Sequence, residues 1–499
     1  MFVLLSLTSW FYYFSSERHV AYNDAMSHLN ISRRVFDNLT PGAAQIGSVW
    51  LPLYHLLMLP TVWIDFFWKT GFSAAIVSMS SYIVTSLYTY KLALSLGFKR
   101  KIALIITSIV ALNTNLLYLQ TTALTEPLFI ALFTLSIYHF NRWIKHHNIM
   151  NLVGTAFFVM LSTLTRYDGW ALLGFSGLAL MIILWNRYKS FKAVEGLTIL
   201  FVTLAALGCM LWFGWNYFIF GDPIYFATGE FSAKAQQDVL EASNDLPTKH
   251  NVGLSMLTYM YSMFSNVGVI TILLGSIGWL VYIKNSNTIG KAFALISIAP
   301  LVFNVLALFL GHSVIHVPEI AGASWFNVRY GLLVISWAAL FTGYLASRPN
   351  VLVKTLVPVL VMLQIGLFYN SRYIVTLDDG LWGSSQKNVK ATGQWIHDYV
   401  GADNNDLILV SVASHDAVLF RSDLPMHRFI HEGTGEYWDN ALANPELHAK
   451  FVIMRTHDSL DSVARSMDQV PQFYEKYALI YDDEFVDVYE LKATTAALR

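Results

Sequence analysis

Charged side chains are scarce in this sequence. Asp, Glu, Lys and Arg make up 13% of its 499 residues, where a soluble domain carries about 25%. The charge that remains has no bias: 32 basic and 33 acidic groups leave a net charge of −1. That removes the electrostatic footprint of a nucleic-acid-binding protein. Cysteine is almost absent. Cys209 alone, inside an apolar run, excludes intrachain disulfides and cysteine-based metal sites. Internal repeats and low-complexity tracts are also missing. Lipid-carrier transporters are commonly built from repeats around a midplane site, so this non-enzymatic alternative loses its main sequence support.

What is abundant is apolar surface. Hydrophobic residues reach 55% and mean hydropathy is +0.48. Fifteen Trp and 26 Tyr suit the belts where a ring meets lipid and its polar tip meets water. Crossing a bilayer takes about 20 apolar residues, sometimes fewer. Such runs fall near 2–14, 72–95, 102–118, 126–143, 149–164, 169–185, 195–217, 262–283, 291–311, 331–346 and 351–370, predicting an α-helical polytopic membrane protein of about eleven spans. The first run has no cleavage site after it and is read as a retained span.

Lys99-Arg100-Lys101, Arg142 with Lys145, Arg187 with Lys189 and Lys192, Lys284 with Lys291, and Arg348 with Lys354 occupy alternate loops. Basic loops stay cytoplasmic. The other set, 15–71, 119–125, 165–168, 218–261 and 312–330, is then extracytoplasmic, and an odd span count puts 371–499 there too. The expected organisation is a transmembrane domain over 1–370, with a long first outer loop at 15–71, and a small extracytoplasmic α/β domain over 371–499. The expected location is the plasma (cytoplasmic) membrane.

In the first outer loop, 23–38 reads as an amphipathic helix along the membrane interface, with Met26, Leu29, Val35 and Phe36 on its apolar side. Thr40-Pro41-Gly42 ends it, and Val49-Trp50-Leu51-Pro52-Leu53-Tyr54-His55 starts a second helix. In the C-terminal domain, 406–412 and 451–454 read as buried strands. There 392–400, 437–442 and 459–467 read as helices, and 479–481 with 485–489 as a closing hairpin.

Ionisable groups close to membrane depth are costly and mark function by default. Asp24 opens the first-loop helix with His28 one turn on. Glu126 stands in Ala123-Leu124-Thr125-Glu126-Pro127, Arg166 and Asp168 share a tight outer hairpin, and Arg329 with Tyr330 opens a later span. Each has an ordinary explanation, from a helix-dipole acid to a snorkelling arginine. Together they set acids and arginines at one outer level of several spans whose centres are almost free of charge. An ion conductor would carry its charges deeper. Arginine suits a phosphate through its planar fork, and a carboxylate suits proton removal from a hydroxyl. The set therefore fits transfer of a group from a lipid phosphate at the membrane surface. His312 and His316 near Glu319 have metal-ligand spacing, but Gly311 and Pro318 make that stretch a loop. Asn30-Ile31-Ser32 and Asn38-Leu39-Thr40 match the glycosylation pattern. His415, Asp416 and Glu432 are the most plausible polar contacts of the C-terminal domain, for an acceptor.

The order of these features resembles the GT-C superfamily of polyprenyl-phosphate-sugar-dependent glycosyltransferases. Within it the chain is most similar to the protein O-mannosyltransferase and lipid A aminoarabinose transferase group. The resemblance covers about 1–370. It rests on Asp24 in a long first loop, Trp50-Leu51-Pro52-Leu53-Tyr54, Thr125-Glu126-Pro127, Thr165-Arg166-Tyr167-Asp168-Gly169, Trp215-Asn216 with Phe220-Gly221-Asp222-Pro223, and Asn327-Val328-Arg329-Tyr330. It implies a GT-C-like fold and an inverting transferase whose site faces outward. The donor would be a polyprenyl-monophosphate sugar, mannose among the candidates, and the acceptor a hydroxyl on a protein, lipid or glycan. It implies Asp24 as catalytic base and no cofactor. A divalent metal belongs to the alternative, an oligosaccharyltransferase-like enzyme.

The sequence departs from the family pattern in three places. Asn23 stands where a second acid is common, and Trp50 and Leu51 replace the cation and first proline of a Pro-Pro-Leu segment. The phosphate then falls to His28, His55, Arg166, Arg329 and Tyr330, with Glu126 and Asp168 as a second acidic site. The C-terminal domain does not resemble the β-trefoil of eukaryotic protein O-mannosyltransferases.

Overall fold

A computed structural model describes the chain except residues 231, 243–245, 384–388, 402–403 and 494–499. It divides into two compact units. The first comprises Met1–Tyr22, Ser48–Tyr54 and Ala74–Ser385, the second Asn23–Gly47, His55–Ser73 and Gln386–Arg499. Most of the first outer loop thus groups with the C-terminal domain, where the sequence boundary at 370/371 groups it with the apolar helices.

The first unit is helical because long apolar runs can satisfy their backbone only internally. Among the described residues four helices are long and apolar enough to cross a membrane: Asp168–Tyr188, Phe191–Phe220, Val328–Ala346 and Val351–Trp382. Two bent pairs raise the number to six, Val252–Val267 with Val269–Asn285 at 113° and Thr288–Ser297 with Ala299–Leu310 at 51°. The chain is built as a multi-pass membrane protein. Phe191–Phe220 keeps only 22% of its apolar window buried, whereas Val328–Ala346 buries 83% and forms the centre. Gly275 and Gly278 allow close packing there: a Cβ on Gly278 would overlap the Phe341 carbonyl. Small residues at such crossings let backbones approach.

The straight spans expected at 262–283 and 291–311 are both broken. Gly268 has φ +98°, and a Cβ there would overlap the Gln364 amide. Gln364 Oε1 accepts the Ile270 N–H at 3.0 Å. Pro300 starts the later half-helix, where its missing N–H costs nothing. The run at 102–118 is likewise two helices, Arg100–Ala111 and Thr114–Leu119. Asn113 caps the second by accepting the Leu116 N–H at 2.9 Å. The first unit also carries a short antiparallel hairpin, β1 (His316–Val317) and β2 (Ala321–Phe326).

The second unit holds a five-stranded sheet of β3 (Ile408–Val410), β4 (Phe429–Ile430), β5 (Phe451–Met454), β6 (Tyr477–Asp482) and β7 (Asp487–Leu491), in the order β4-β3-β5-β7-β6. β3 runs parallel to β4 and β5, while β7 is antiparallel to β5 and β6. Leu409, Ile430, Val452, Met454, Val463, Met467 and Phe473 form its core. The expected strands and closing hairpin are present. β4 and the helix Val412–Ser422 are additions to the sequence reading.

The first-loop helix ends at Arg34 and is buried on both faces. Met26 and Leu29 are inside, but so are His28, Asn30, Ser32, Arg33 and Arg34, while Phe36 is 48% exposed. Its polar side is not turned to water. Asn30 Nδ2 donates to the Asp416 carbonyl and carboxylate at 2.9 and 2.7 Å, and Arg34 pairs with Asp416 at 3.2 Å. Arg33 bridges Asp37 and Asp65 at 3.1 and 2.6 Å. A helix with partners on both sides is a core element, which corrects the interfacial amphipathic reading.

Candidate active site

Five of the sequence candidates meet in the first unit. Glu126 begins the helix Glu126–His146, an end where the dipole favours an acid, and only 1% of its side chain is exposed. Its Oε1 accepts Arg166 Nη1 at 2.9 Å and Arg329 Nε at 3.1 Å. Glu126 Oε2 is buried and has no hydrogen-bond partner among the described residues. Two cations that would repel are thus held on one carboxylate oxygen.

Arg166 is gripped from a second direction. Its Nε donates to Asp168 Oδ2 at 3.0 Å and its Nη1 to Thr125 Oγ1 at 3.1 Å. Asp168 in turn accepts Asn304 Nδ2 at 2.8 Å. Burial works against the Arg166 charge, but Asp168 and Glu126 overcome it and raise its pKa. The hairpin is tight because Gly169 lies against the Ser162 carbonyl, where a Cβ would overlap backbone. The Arg166 side chain remains 13% exposed, and its Nη2 donates to no described residue.

Aromatic faces complete the cluster. The Arg166 guanidinium carbon sits 4.6 Å from the Tyr330 ring centre, and that of Arg329 sits 4.8 Å from Tyr22 and 5.3 Å from Tyr330. Desolvated cation–π contacts of this kind contribute about 2 kcal/mol. The single hydroxyl proton of Tyr22 is shared between the Thr376 carbonyl at 2.6 Å and Asp379 Oδ2 at 3.2 Å. Burial and the nearby Asp379 charge push its phenol well above the usual range, so it stays a donor. Tyr22, Asp379, Asn304 and Thr125 were not among the sequence candidates. The one available signal was Asp378-Asp379, an acid pair soon after an apolar run.

The remaining candidates lie in the second unit. Asp24 is in the first turn of Asn23–Arg34 and is partly buried. His28 Nδ1 and His55 Nε2 stand 2.8 Å apart. Burial, helped by Arg34, pushes His55 down to about 3.

In the C-terminal trio His415 and Asp416 are buried and Glu432 is half-buried, each with internal partners. His415 Nε2 is 2.6 Å from Asp461 Oδ2, Asp416 is held by Asn30 and Arg34, and Glu432 accepts the Ser411 hydroxyl and the Val412 N–H. These residues bind the domain together rather than facing an acceptor. The two glycosylation patterns fail likewise, since Asn30 and Asn38 are buried, Asn38 against His431 at 3.1 Å. His316 lies in β1, and His312 Nδ1 approaches Gln237 at 3.4 Å. Among the described residues no three His, Cys, Asp or Glu converge to hold a metal ion.

No family model and no curated protein sequence matches the chain. Solved structures do. ArnT from Cupriavidus metallidurans in the apo state superposes with a TM-score of 0.58 at 12% identity, over 98% of this chain and 96% of that one. The chain shares the fold of that structure. The apo oligosaccharyltransferase of Archaeoglobus fulgidus is a further match, with a TM-score of 0.50 at 12% identity over 87% of this chain and 66% of that one. The resemblance in feature order thus extends to three-dimensional architecture, and at this identity the likeness is one of fold.

Proposed function

We propose that the chain is an inverting glycosyltransferase that moves a sugar, mannose among the candidates, from a polyprenyl-monophosphate donor to an acceptor hydroxyl outside the cytoplasm. About eleven membrane crossings, with the cluster and the domain over 371–499 on the outer side of the plasma membrane, belong to this reading. The observation that carries it is the pairing of Arg166 and Arg329 on Glu126 and Tyr330.

In the proposed reaction the two guanidiniums receive the phosphate. Fixed donors aimed at developing charge lower a barrier without reorganising as it forms. The acceptor oxygen attacks the anomeric carbon, the bond from that carbon to the phosphate oxygen breaks, and the electron pair leaves on the phosphate. Phosphate is already a good anion and needs no proton. The hydroxyl proton goes to Asp24, which acts as general base. Glu126 and Asp168 keep the arginines charged and aimed, and Tyr330 provides their common floor. His28 orients Asp24 or contacts the phosphate.

The test is transfer from a labelled polyprenyl-phosphate sugar by purified wild type, Arg166→Ala and Arg329→Ala in lipid, with and without a chelator. Transfer by wild type that survives chelation and collapses in both variants is expected. Activity only on a lipid-diphosphate glycan, and only with a divalent metal, would instead support the oligosaccharyltransferase-like alternative.

A further inference from the structure

We infer that Asp379 is a positioning residue for Arg329, a role that rests on the phosphate assignment above. Arg329 sits in the 3₁₀ turn Val328–Val334, and the peptide before it is pinned at both ends. The Val328 N–H donates to Asp379 Oδ2 at 3.1 Å. The Val328 carbonyl accepts Ser262 Oγ and Asn266 Nδ2, each at 2.7 Å. Asn327, just upstream, is left-handed with φ +53°, a conformation Asn tolerates better than most residues. A Cβ on Gly331 would overlap the Ser262 backbone, so the turn lies flat against that helix.

Asp379 also fixes the ring on which Arg329 rests. Its Oδ2, 3.2 Å from the Tyr22 hydroxyl, shares that group's single proton with the Thr376 carbonyl one turn earlier. The helix Val375–Trp382 is held at its start by Asn115 Oδ1, which accepts Thr376 N and Oγ1 at 3.1 and 2.9 Å. Gly380 lets this helix meet Tyr22, where a Cβ would come within 3.0 Å of the ring. One buried carboxylate oxygen therefore sets both the backbone that carries Arg329 and the aromatic face beneath it. A guanidinium that must meet a phosphate in one orientation gains from such support.

The experiment measures donor KM, kcat and unfolding temperature for Asp379→Ala, Asp379→Asn, Tyr22→Phe, Arg329→Ala and the double variants with Arg329→Ala. Asp379→Ala should raise donor KM roughly tenfold and add nothing to the Arg329→Ala loss. Asp379→Asn keeps an oxygen for the Val328 N–H and should restore most of the affinity. Tyr22→Phe keeps the ring and loses its tether, so it should raise KM only where Arg329 is present. If Asp379→Ala does not fold, the Asn and Tyr22→Phe variants decide. Losses that multiply with Arg329→Ala, or a lowered unfolding temperature with unchanged donor KM, would overturn the positioning role alone. Wild-type transfer by Arg329→Ala would remove the phosphate assignment, and this inference with it.

Discussion

Arg166 Nη1 donates to Glu126 Oε1 over 2.9 Å, joining a two-helix hairpin to the first turn of a different helix. The contact is buried on the acid side and shared with Arg329, so removing the acid affects two cations at once. Breaking a buried pair by deleting one partner costs about 3–5 kcal/mol, because the other charge is left uncompensated. Glu126→Gln, which keeps the shape, should therefore lower the unfolding temperature and weaken donor binding together. Wild-type values for both would show that the arginines are aligned by other groups.

Asp24→Asn removes basicity and preserves shape. Under the proposed mechanism it should cost roughly 10²–10⁴-fold in transfer, the usual loss of an acid–base group, while donor affinity survives. Turnover and donor titration on the same preparation separate the outcomes. Unchanged turnover would pass the base role to another acid, Glu126 first. Lost donor binding would make Asp24 a binding or structural residue.

Acid should loosen the second unit well above the carboxylate range. His55 and His431 are fully buried and pushed down by that burial and by Arg34, His55 to about 3. Unfolded, each titrates near 6.5. Stability is therefore complete above about pH 6.5 and is lost as pH falls toward the folded values, at about 1.4 kcal/mol per pH unit for each histidine. Asp416 and Glu432, pushed up by burial, gain from protonation and flatten the curve at its acid end. Thermal unfolding of the full chain from pH 7 to 5 should show the slope, and His55→Gln should reduce it. An equal slope in that variant would place the effect elsewhere.

Orientation is read by labelling. With Cys209 replaced, single cysteines at the exposed positions Ser190 and Ser459 should behave oppositely toward an impermeant thiol reagent in intact cells. Labelling is expected at 459 and none at 190. The reverse pattern would put the arginine cluster on the cytoplasmic side.

Much of this architecture was legible in the residues because apolar runs report burial directly. Phe451–Met454 is apolar throughout and became a strand buried at every position. Val412–Ser422 was passed over because His415 and Asp416 interrupt its pattern, and their burial depends on partners 46 and 386 positions away. Glu126, Arg166, Asp168 and Arg329 stood out as charges near membrane depth, and geometry joined them. Asp379 did not, since its meaning lies in Val328 and Tyr22, 51 and 357 positions off. The break at Gly268 hid for a different reason. One glycine in an apolar run is common, and only the approach of Gln364 makes it obligatory.

That break also sets an order of assembly. In an unbroken helix the Asn266 carbonyl would take the Ile270 N–H. Here the carbonyl accepts Asn113 Nδ2 and Asn115 Nδ2 at 2.8 and 3.1 Å, and the N–H goes to Gln364 at 3.0 Å. Within an apolar bilayer those two groups have no water to fall back on. As the chain is synthesised, Asn113 and Asn115 precede the break, but Gln364 emerges almost a hundred residues after it, about a fifth of the chain. Until then Ile270 lacks its replacement partner. A nascent chain that stops before the last long apolar helix therefore lacks the side chain that receives the Ile270 N–H here.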